Sequence, residues 1–350
     1  MEKRMKQSVG IDCGLKELVV AFGVMDENFD TRILSNTQFA NDDEGFKKLL
    51  QWSKKLDSRE QAVEYVIEAT GVYHEKIALY LHEGGCKIIV LLPNKAKAFS
   101  KTLSVKTVND KVSAQMLSQF GLEKKMDAWQ PPQKVFNELK QLTRERDQLM
   151  DEQTQIKNQF HAVTSGAWVN QRTVKRMNQR LKMIKKQVQE IEQEIKTVIE
   201  KKDILKEKIK KIRTIPGAGL LTVATVLAET NGFHLIRNKK QLVSYAGLDV
   251  VERVSGISIK GKTRISRKGN KHLRKCLHYP ALTAIRHNDA MKSLFVRLVS
   301  KHGIKMKAAV AVQRKMLELM YILWKKDEAF DANYQHKNKK EQPLLTALSN

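Results

Sequence analysis

Three acids and one serine-bearing loop are the places in this 350-residue chain where residue type and spacing suggest chemistry. Asp12 ends the apolar run in "VGIDCG", and Glu68 ends another in "YVIEATG". A carboxylate closing a buried strand costs several kcal/mol when left unpaired, so each must be salt-bridged or hold a cation. Asp110 opens a helical pattern in "NDKVSAQML" and can close the same cluster from the side. Hard oxygen ligands of this kind suit Mg²⁺ or Mn²⁺, which polarise a phosphodiester and activate a nucleophile. Taken alone, Asp110 also reads as an ordinary stabilising acid in the first turn of a helix.

The loop is "VERVSGISIKGKTRISRKGNKHLRK", residues 251 to 275. Ser255 stands between Val254 and Gly256 and is followed by Lys260, Lys262, Arg264, Arg267, Lys268, Lys271, Arg274 and Lys275, with no further acid until Asp289. A serine hydroxyl is a poor nucleophile unless deprotonated, desolvated or set beside strong electrophilic stabilisation. Arg and Lys around a phosphate supply that stabilisation by neutralising the pentavalent transition state. Gly256 would let the backbone approach closely. From the residues alone a phosphate contact is the simpler reading of a serine and glycine in a basic loop. Ser258 and Ser266 are the rival serines; Ser266, among arginines, reads as a phosphate ligand.

Composition limits the partners. The chain has 64 Lys+Arg against 38 Asp+Glu, a net charge of +26, which points to a polyanion and first of all to nucleic acid. A membrane-surface protein would need a basic amphipathic helix carrying Trp, Phe and Leu, and none stands out. No run approaches the ~20 apolar residues of a membrane span, so a soluble, cytoplasmic protein is expected. Cys13, Cys86 and Cys276 are far apart and lack C-x-x-C spacing, which supports neither a disulfide framework nor a zinc knuckle. No G-x-x-x-x-G-K-[ST] loop for nucleotide triphosphates is present.

The elements that must position these residues fall into four segments. Residues 1–130 alternate apolar strand runs with helical patterns: three strands, then helix, strand, helix, strand, the order of the ribonuclease-H-type nuclease fold. Pro131 and Pro132 break the pattern. Residues 131–212 are almost free of glycine, and Leu181, Ile184, Val188, Ile191, Ile195 and Val198 recur every three or four positions. That spacing predicts a helical hairpin or coiled coil with "TSGAWVNQ" as the turn. Its narrow apolar stripe and charged flanks favour a seam between two copies, with packing inside one chain as the alternative. Residues 213–327 are expected to be mostly helical. They open with "IPGAG", where Gly217 and Gly219 resemble the turn of a helix-hairpin-helix element whose backbone N–H groups meet DNA phosphates. Residues 328–350 read as a polar tail. Trp129, Trp168 and Trp324 can serve either as base-stacking platforms or as core residues.

In order along the chain, "GIDCG", "EATGVYH", "NDKVSAQMLSQFG", "IPGAGLLTVATVLAE", "YAGLD", "VSG" and "SRKGNKHLR" resemble the DEDD transposases of insertion sequences. These join a resolvase-like ribonuclease-H domain to a C-terminal serine transposase domain, and the similarity runs from about residue 7 to 325. The resemblance implies a recombinase guided by a structured bridge RNA that pairs with donor and target double-stranded DNA. It implies Asp12, Glu68 and Asp110 as metal ligands, Ser255 as the nucleophile of a transient phosphoserine link, and a homo-oligomer in which one subunit completes the site of another. One position departs from the pattern. The family's fourth acid lies three residues after the third, and here that position is Ser113. An i, i+3 spacing keeps it on the same helical face as Asp110, so the site retains its geometry and loses a charge. Weaker metal binding through the Ser113 hydroxyl is one consequence, and a disabled copy is the other. Two further readings stand beside a transposase: a metal-only structure-selective nuclease in which water attacks, and an inactive nucleic-acid-binding protein.

Overall fold

The computed structural model describes residues 4–58, 61–69, 71–103, 109–234, 236–252, 254–255, 259–260 and 263–331. The chain divides into two compact units, residues 1–131 and 132–350.

The first unit starts with three antiparallel strands, β1 (Arg4–Cys13), β2 (Glu17–Asp26) and β3 (Thr31–Ala40). Then follow α1 (Asp43–Leu56), β4 (Val63–Glu68), α2 (Glu75–Glu83), β5 (Lys87–Leu91), α3 (Pro93–Ser100) and α4 (Asp110–Glu123). The sheet order is β3-β2-β1-β4-β5, with β4 parallel to β1 and β5 parallel to β4. This is the order of strands and helices expected from the sequence. Both faces of the sheet are covered, which is why β2 is an unbroken apolar run with no polar alternation. Val9, Ile11 and Cys13 of β1 pack with Phe46 and Leu49 of α1 and Ile77 and Leu81 of α2. The opposite face carries α4 and α3, where Val66, Ile89 and Leu91 meet Leu117, Phe120 and Phe99.

The second unit opens with the hairpin of α5 (Lys134–Thr164) and α6 (Gln171–Glu200). The intervening turn coincides with "TSGAWVNQ", and Asn170 caps α6 by accepting from the N–H groups of Arg172 and Thr173. Next come α7 (Asp203–Ile212), α8 (Leu220–Thr230) and α9 (Lys239–Tyr245). The short strands β6 (Val250–Val251), β7 (Val254–Ser255), β8 (Ile259–Lys260) and β9 (Arg264–Ile265) precede α10 (Lys271–Cys276), α11 (His278–His287), α12 (Asp289–His302) and α13 (Lys305–Lys326). These strands interrupt a segment expected to be mostly helical.

The stripe on α6 is buried at Ile184, Ile191, Ile195 and Val198 by this chain's own residues, largely in the core where Leu139 and Leu142 of α5 join α7, α8 and α13. The periodicity therefore reports packing within one chain over this stretch, and the core runs without a break across residues 212 and 213. No helix among the described residues is long and apolar enough to cross a membrane.

Candidate active site

The acids of the first unit are brought together by one close helix–strand contact. Ile11 of β1 pairs with Ile67 of β4, and the next residue on each strand is Asp12 and Glu68, so two carboxylates emerge at adjacent parallel strand ends. Strand alternation puts Asp12 on the face of Gly10 and Ser8, the face that α4 covers. A Cβ on Gly10 would lie 2.0 Å from the Ala114 carbonyl oxygen and 2.3 Å from the Ser118 nitrogen. One on Gly121 would lie 2.2 Å from Ser8 Oγ. The missing side chains at both ends let α4 lie directly on β1 and antiparallel to it. The Ser118 hydroxyl donates to the Ser8 carbonyl at 2.9 Å, and Lys6 Nζ donates to the Leu122 carbonyl at 2.9 Å near the helix C-terminus. The opposite end of α4 is thereby set at Asp12. There Asn109 caps the helix by accepting from the Val112 N–H at 2.9 Å, and Asp110 and Ser113 share the face turned to the strand end.

The electrostatics record this convergence. The Asp12 carboxyl is pushed up to about 6 by burial, then by the neighbouring charges of Asp110 and Glu68, while hydrogen bonds from the Ser113 hydroxyl and the Cys13 backbone oppose the shift. Cys13 is driven to about 12 by burial and then by the same two acids, Asp12 and Glu68, and is a neutral core thiol. Among the described residues no group of three or more His, Cys, Asp or Glu side chains is placed to hold a metal ion. Asp12 and the three side chains around it, Glu68, Asp110 and Ser113, nevertheless offer only oxygen donors with excess negative charge, and that chemistry fits a hard divalent cation. Ser113, in the fourth position, contributes its hydroxyl to Asp12.

Ser255 lies on a β-hairpin of the second unit. Val250 pairs with Ile265 and Val251 with Arg264; farther along, Val254 pairs with Lys260 and Ser255 with Ile259. Among the described residues Ser255 is thus the last one paired before the tip. Gly256, Ser258 and Lys262 lie outside the described residues. The base of the hairpin is fastened firmly. Ser266 donates its hydroxyl to Asp249 Oδ1, and its N–H donates to the Asp249 carbonyl at 2.8 Å. That pairing gives Ser266 a structural partner in place of the expected phosphate. Arg267 follows at φ +54°, in the left-handed region, with its N–H donating to the Gly247 carbonyl at 3.1 Å. Arg274, expected to contact nucleic acid, donates from Nη1 to the carbonyls of Ala246, Gly269 and Asn270 at 2.8, 3.0 and 3.2 Å. It clamps the two loops that flank the hairpin. Arg264, Arg267, Lys268 and Lys271 are exposed and have no acidic partner among the described residues.

A buried polar hub supports this frame, and it was not singled out in the sequence. Glu229 of α8 accepts Arg144 Nε and Nη2 of α5 at 2.7 and 3.0 Å and Asn270 Nδ2 at 2.6 Å, while Tyr245 donates to the Glu229 carbonyl at 2.9 Å. Burial pushes the Glu229 carboxyl up, but the hydrogen bonds from Arg144 and Asn270 and the charges of Arg144 and Lys140 prevail and hold it below its ordinary value. Asn270 also caps α10, and His272 and Lys275 of that helix meet Asp147 and Asp151 of α5 at 3.1 and 2.7 Å. An acid inside the apolar run "TVATVLAET" was the available signal.

The two glycines of "IPGAG" have different surroundings. Gly217 is at φ +89°, and a Cβ there would lie 2.4 Å from the Pro280 carbonyl oxygen, so its place is explained by packing against α11. Gly219, the N-cap of α8, is exposed with nothing within 4 Å of a Cβ. Trp129 and Trp324 pack in the cores, beside His82 and beside Phe136 and Phe233, whereas Trp168 is 95% exposed at the α5–α6 turn.

The chain is similar to known transposases. A DEDD-type IS110 transposase family matches residues 9–169, and the transposase IS116/IS110/IS902 family matches residues 209–296. A pilin gene-inverting protein of Moraxella bovis is 27% identical over 297 residues, 85% of this chain and 90% of its own length. The transposase for insertion sequence element IS1111A of Coxiella burnetii is 29% identical over 143 residues, 40% of this chain and 38% of that protein. Among solved structures, T. thermophilus RuvC in complex with a Holliday junction substrate covers 32% of this chain and 90% of its own at 12% identity, with a TM-score of 0.24.

Proposed function

We propose that this chain, which carries the transposase domains of the IS116/IS110/IS902 family and therefore acts on DNA, cuts and rejoins strands through a phosphoserine intermediate on Ser255. The observation that carries the reading is the gathering of Glu68, Asp110 and Ser113 around Asp12, where a bound cation would relieve the mutual repulsion of the carboxylates. Asp12, Glu68, Asp110 and the Ser113 hydroxyl are the side chains that would hold Mg²⁺ or Mn²⁺, which supplies Lewis-acid polarisation of a phosphate when bound. Ser255 Oγ forms the new ester bond to phosphorus, the bond to one sugar oxygen breaks, and that oxygen leaves with a proton. Because the phosphoserine conserves the ester bond, the strand is rejoined by reversal onto another end without ATP. Lys260, Lys262, Arg264, Arg267, Lys268 and Lys271 neutralise the phosphate charge on either side of the step. A guide RNA is the second nucleic acid of this reading, and a net charge of +26 accommodates both.

A metal-only nuclease is the competing reading, favoured by an oxygen cluster complete within the first unit alone. Denaturing electrophoresis separates the two. The purified chain is incubated with Mg²⁺, labelled DNA spanning the ends of its element and the RNA encoded beside its gene. A labelled protein–DNA adduct that disappears in Ser255→Ala supports the phosphoserine route; equal cleavage by both proteins without an adduct refutes it.

A further inference from the structure

The α5–α6 hairpin is electrically divided. Its base carries acids on both helices, among them Asp147, Asp151, Glu192 and Glu194, and several are paired with cations. From Gln153 through the turn to Gln189 there is no Asp or Glu. The same stretch carries Arg172, Lys175, Arg176, Arg180, Lys182 and Lys185 on α6, all exposed, without an acidic partner among the described residues. Lys186, one residue farther on, already pairs with Glu190 at 3.6 Å. Along the first turns of α6, Gln171, Val174, Lys175, Asn178, Gln179 and Lys182 line a shallow open groove whose polar side chains all carry N–H donors. The apex bears Trp168, almost fully exposed.

We propose that the distal half of this hairpin is a nucleic-acid-binding arm that grips the phosphate backbone of a duplex. The inference rests on the reading of the chain as an enzyme of nucleic acid, and it assigns that role to a surface distinct from the serine hairpin. The acid-free part of α6 is about 27 Å long at 1.5 Å per residue, enough to follow about eight base pairs. Amide and ammonium donors at i, i+4, i+7 and i+11 on one face suit phosphate oxygens and carry no base specificity. A seam between two copies over this half would set six cations against six others with no acid to pair them, which disfavours self-association there.

The test uses the full chain and its variant K175Q/R176Q/R180Q/K182Q, with circular dichroism and melting to confirm that the exposed substitutions leave the helices intact. Affinity for a 30-base-pair DNA duplex and for an RNA duplex of the same sequence is measured from 50 to 300 mM salt. Each lost phosphate contact lowers the log–log salt slope by about 0.9 and the affinity at 0.15 M salt on the order of fivefold. The expected result is a lower slope and weaker binding in the variant, with the oligomeric state by light scattering unchanged and binding kept in K175R/R176K/R180K/K182R. Whichever duplex shows the larger loss is the one the arm holds. Equal affinities and slopes for wild type and variant overturn the arm and leave the proposed function standing. Loss of binding accompanied by dissociation of an oligomer overturns it in favour of a seam between copies. Failure of the wild type to bind either duplex overturns the arm and the enzymatic reading together.

Discussion

The position of α4 on β1 depends on Gly10 having no side chain, and Gly10→Ala tests how tightly the acid cluster relies on that contact. The added Cβ would stand 2.0 Å from a backbone oxygen, whereas ordinary contact begins near 3.4 Å. Backbone cannot rotate away as a side chain can, so α4 must move off the sheet by about 1.4 Å or the strand must yield by as much. Overpacking of this kind costs about 1–3 kcal/mol. The displaced helix carries Asp110 and Ser113 away from Asp12, and a misplacement near 1 Å is worth about 100-fold in rate, equivalent to roughly 2.7 kcal/mol of barrier. We expect a lower melting temperature, a preserved circular dichroism spectrum and DNA cleavage reduced by about two orders of magnitude. Gly84→Ala is the control: its Cβ would meet its neighbours at 3.5 Å at an ordinary φ of −76°, and it should change neither quantity. Wild-type cleavage and melting in Gly10→Ala would refute the argument that this contact places the acids.

Three other expectations follow from the same geometry. Glu229→Gln leaves one donor of Arg144 or Asn270 without an acceptor and should cost about 2–3 kcal/mol, the lower end for a buried pair because Arg144 is partly exposed. Since the folded-state pKa of Glu229 is lowered, its contribution is present above 4.5 and lost as pH falls through the folded value, so the melting gap between wild type and variant should narrow in acid; a gap constant from pH 7 to 3.5 contradicts the pairing. Gly217→Ala, at positive φ against the Pro280 carbonyl, should destabilise by about 2–4 kcal/mol in urea unfolding, and Gly219→Ala, in open space, should stay within about 0.5; equal effects would mean that the turn is not packed on α11. Ser113→Asp removes a hydroxyl donor from Asp12 and adds a fourth carboxylate, so thermal stability without metal should fall while the stabilisation by Mn²⁺ rises; an unchanged Mn²⁺ response would remove Ser113 from the donor set.

The acids were legible because each breaks an apolar pattern at a place where burial makes breaking it costly: Asp12 after "VGI" and Glu68 after "YVI". The α5–α6 turn was legible because glycine and asparagine interrupt two long periodic runs. Periodicity shows that a face is buried and is silent on what buries it. The Ile184 to Val198 stripe therefore fitted a seam between copies and packing inside one chain alike, and this chain's own residues bury Ile184, Ile191, Ile195 and Val198 of it. Arg274 and Gly217 have structural roles that the sequence did not show, for a related reason. A motif shows an arginine among cations and a glycine in a turn, but the carbonyls of Ala246 and Pro280 that claim them are brought there only by the tertiary fold. Glu229 gave the same signal as Asp12, an acid in an apolar run, and only their partners differ: Arg144 and Asn270 for Glu229, other acids and Ser113 for Asp12.

That distinction bears on how the serine hairpin works. Ser255 leaves the frame on a strand anchored at Asp249, and the returning strand is fixed by Ser266, by the Arg274 clamp and, through Asn270, by the Glu229–Arg144 pair. The Ser266 hydroxyl and the Arg274 Nη1 group hold this base. The cations left exposed, Arg264, Arg267, Lys268 and Lys271, lie along the returning strand and just beyond it. In the proposed phosphoserine route, Ser255 would have to keep its position against the pull of a charged polymer. Buried, directional hydrogen bonds resist such a load better than salt-screened surface pairs, because leaving any one of their partners unsatisfied costs the full desolvation penalty. The first unit meets the same demand by different means: a helix laid on a strand through two glycines, and tied at its far end by Lys6, fixes Asp110 and Ser113. In both places the residues with chemical capacity stand at the end of an element whose rigidity is set several residues away.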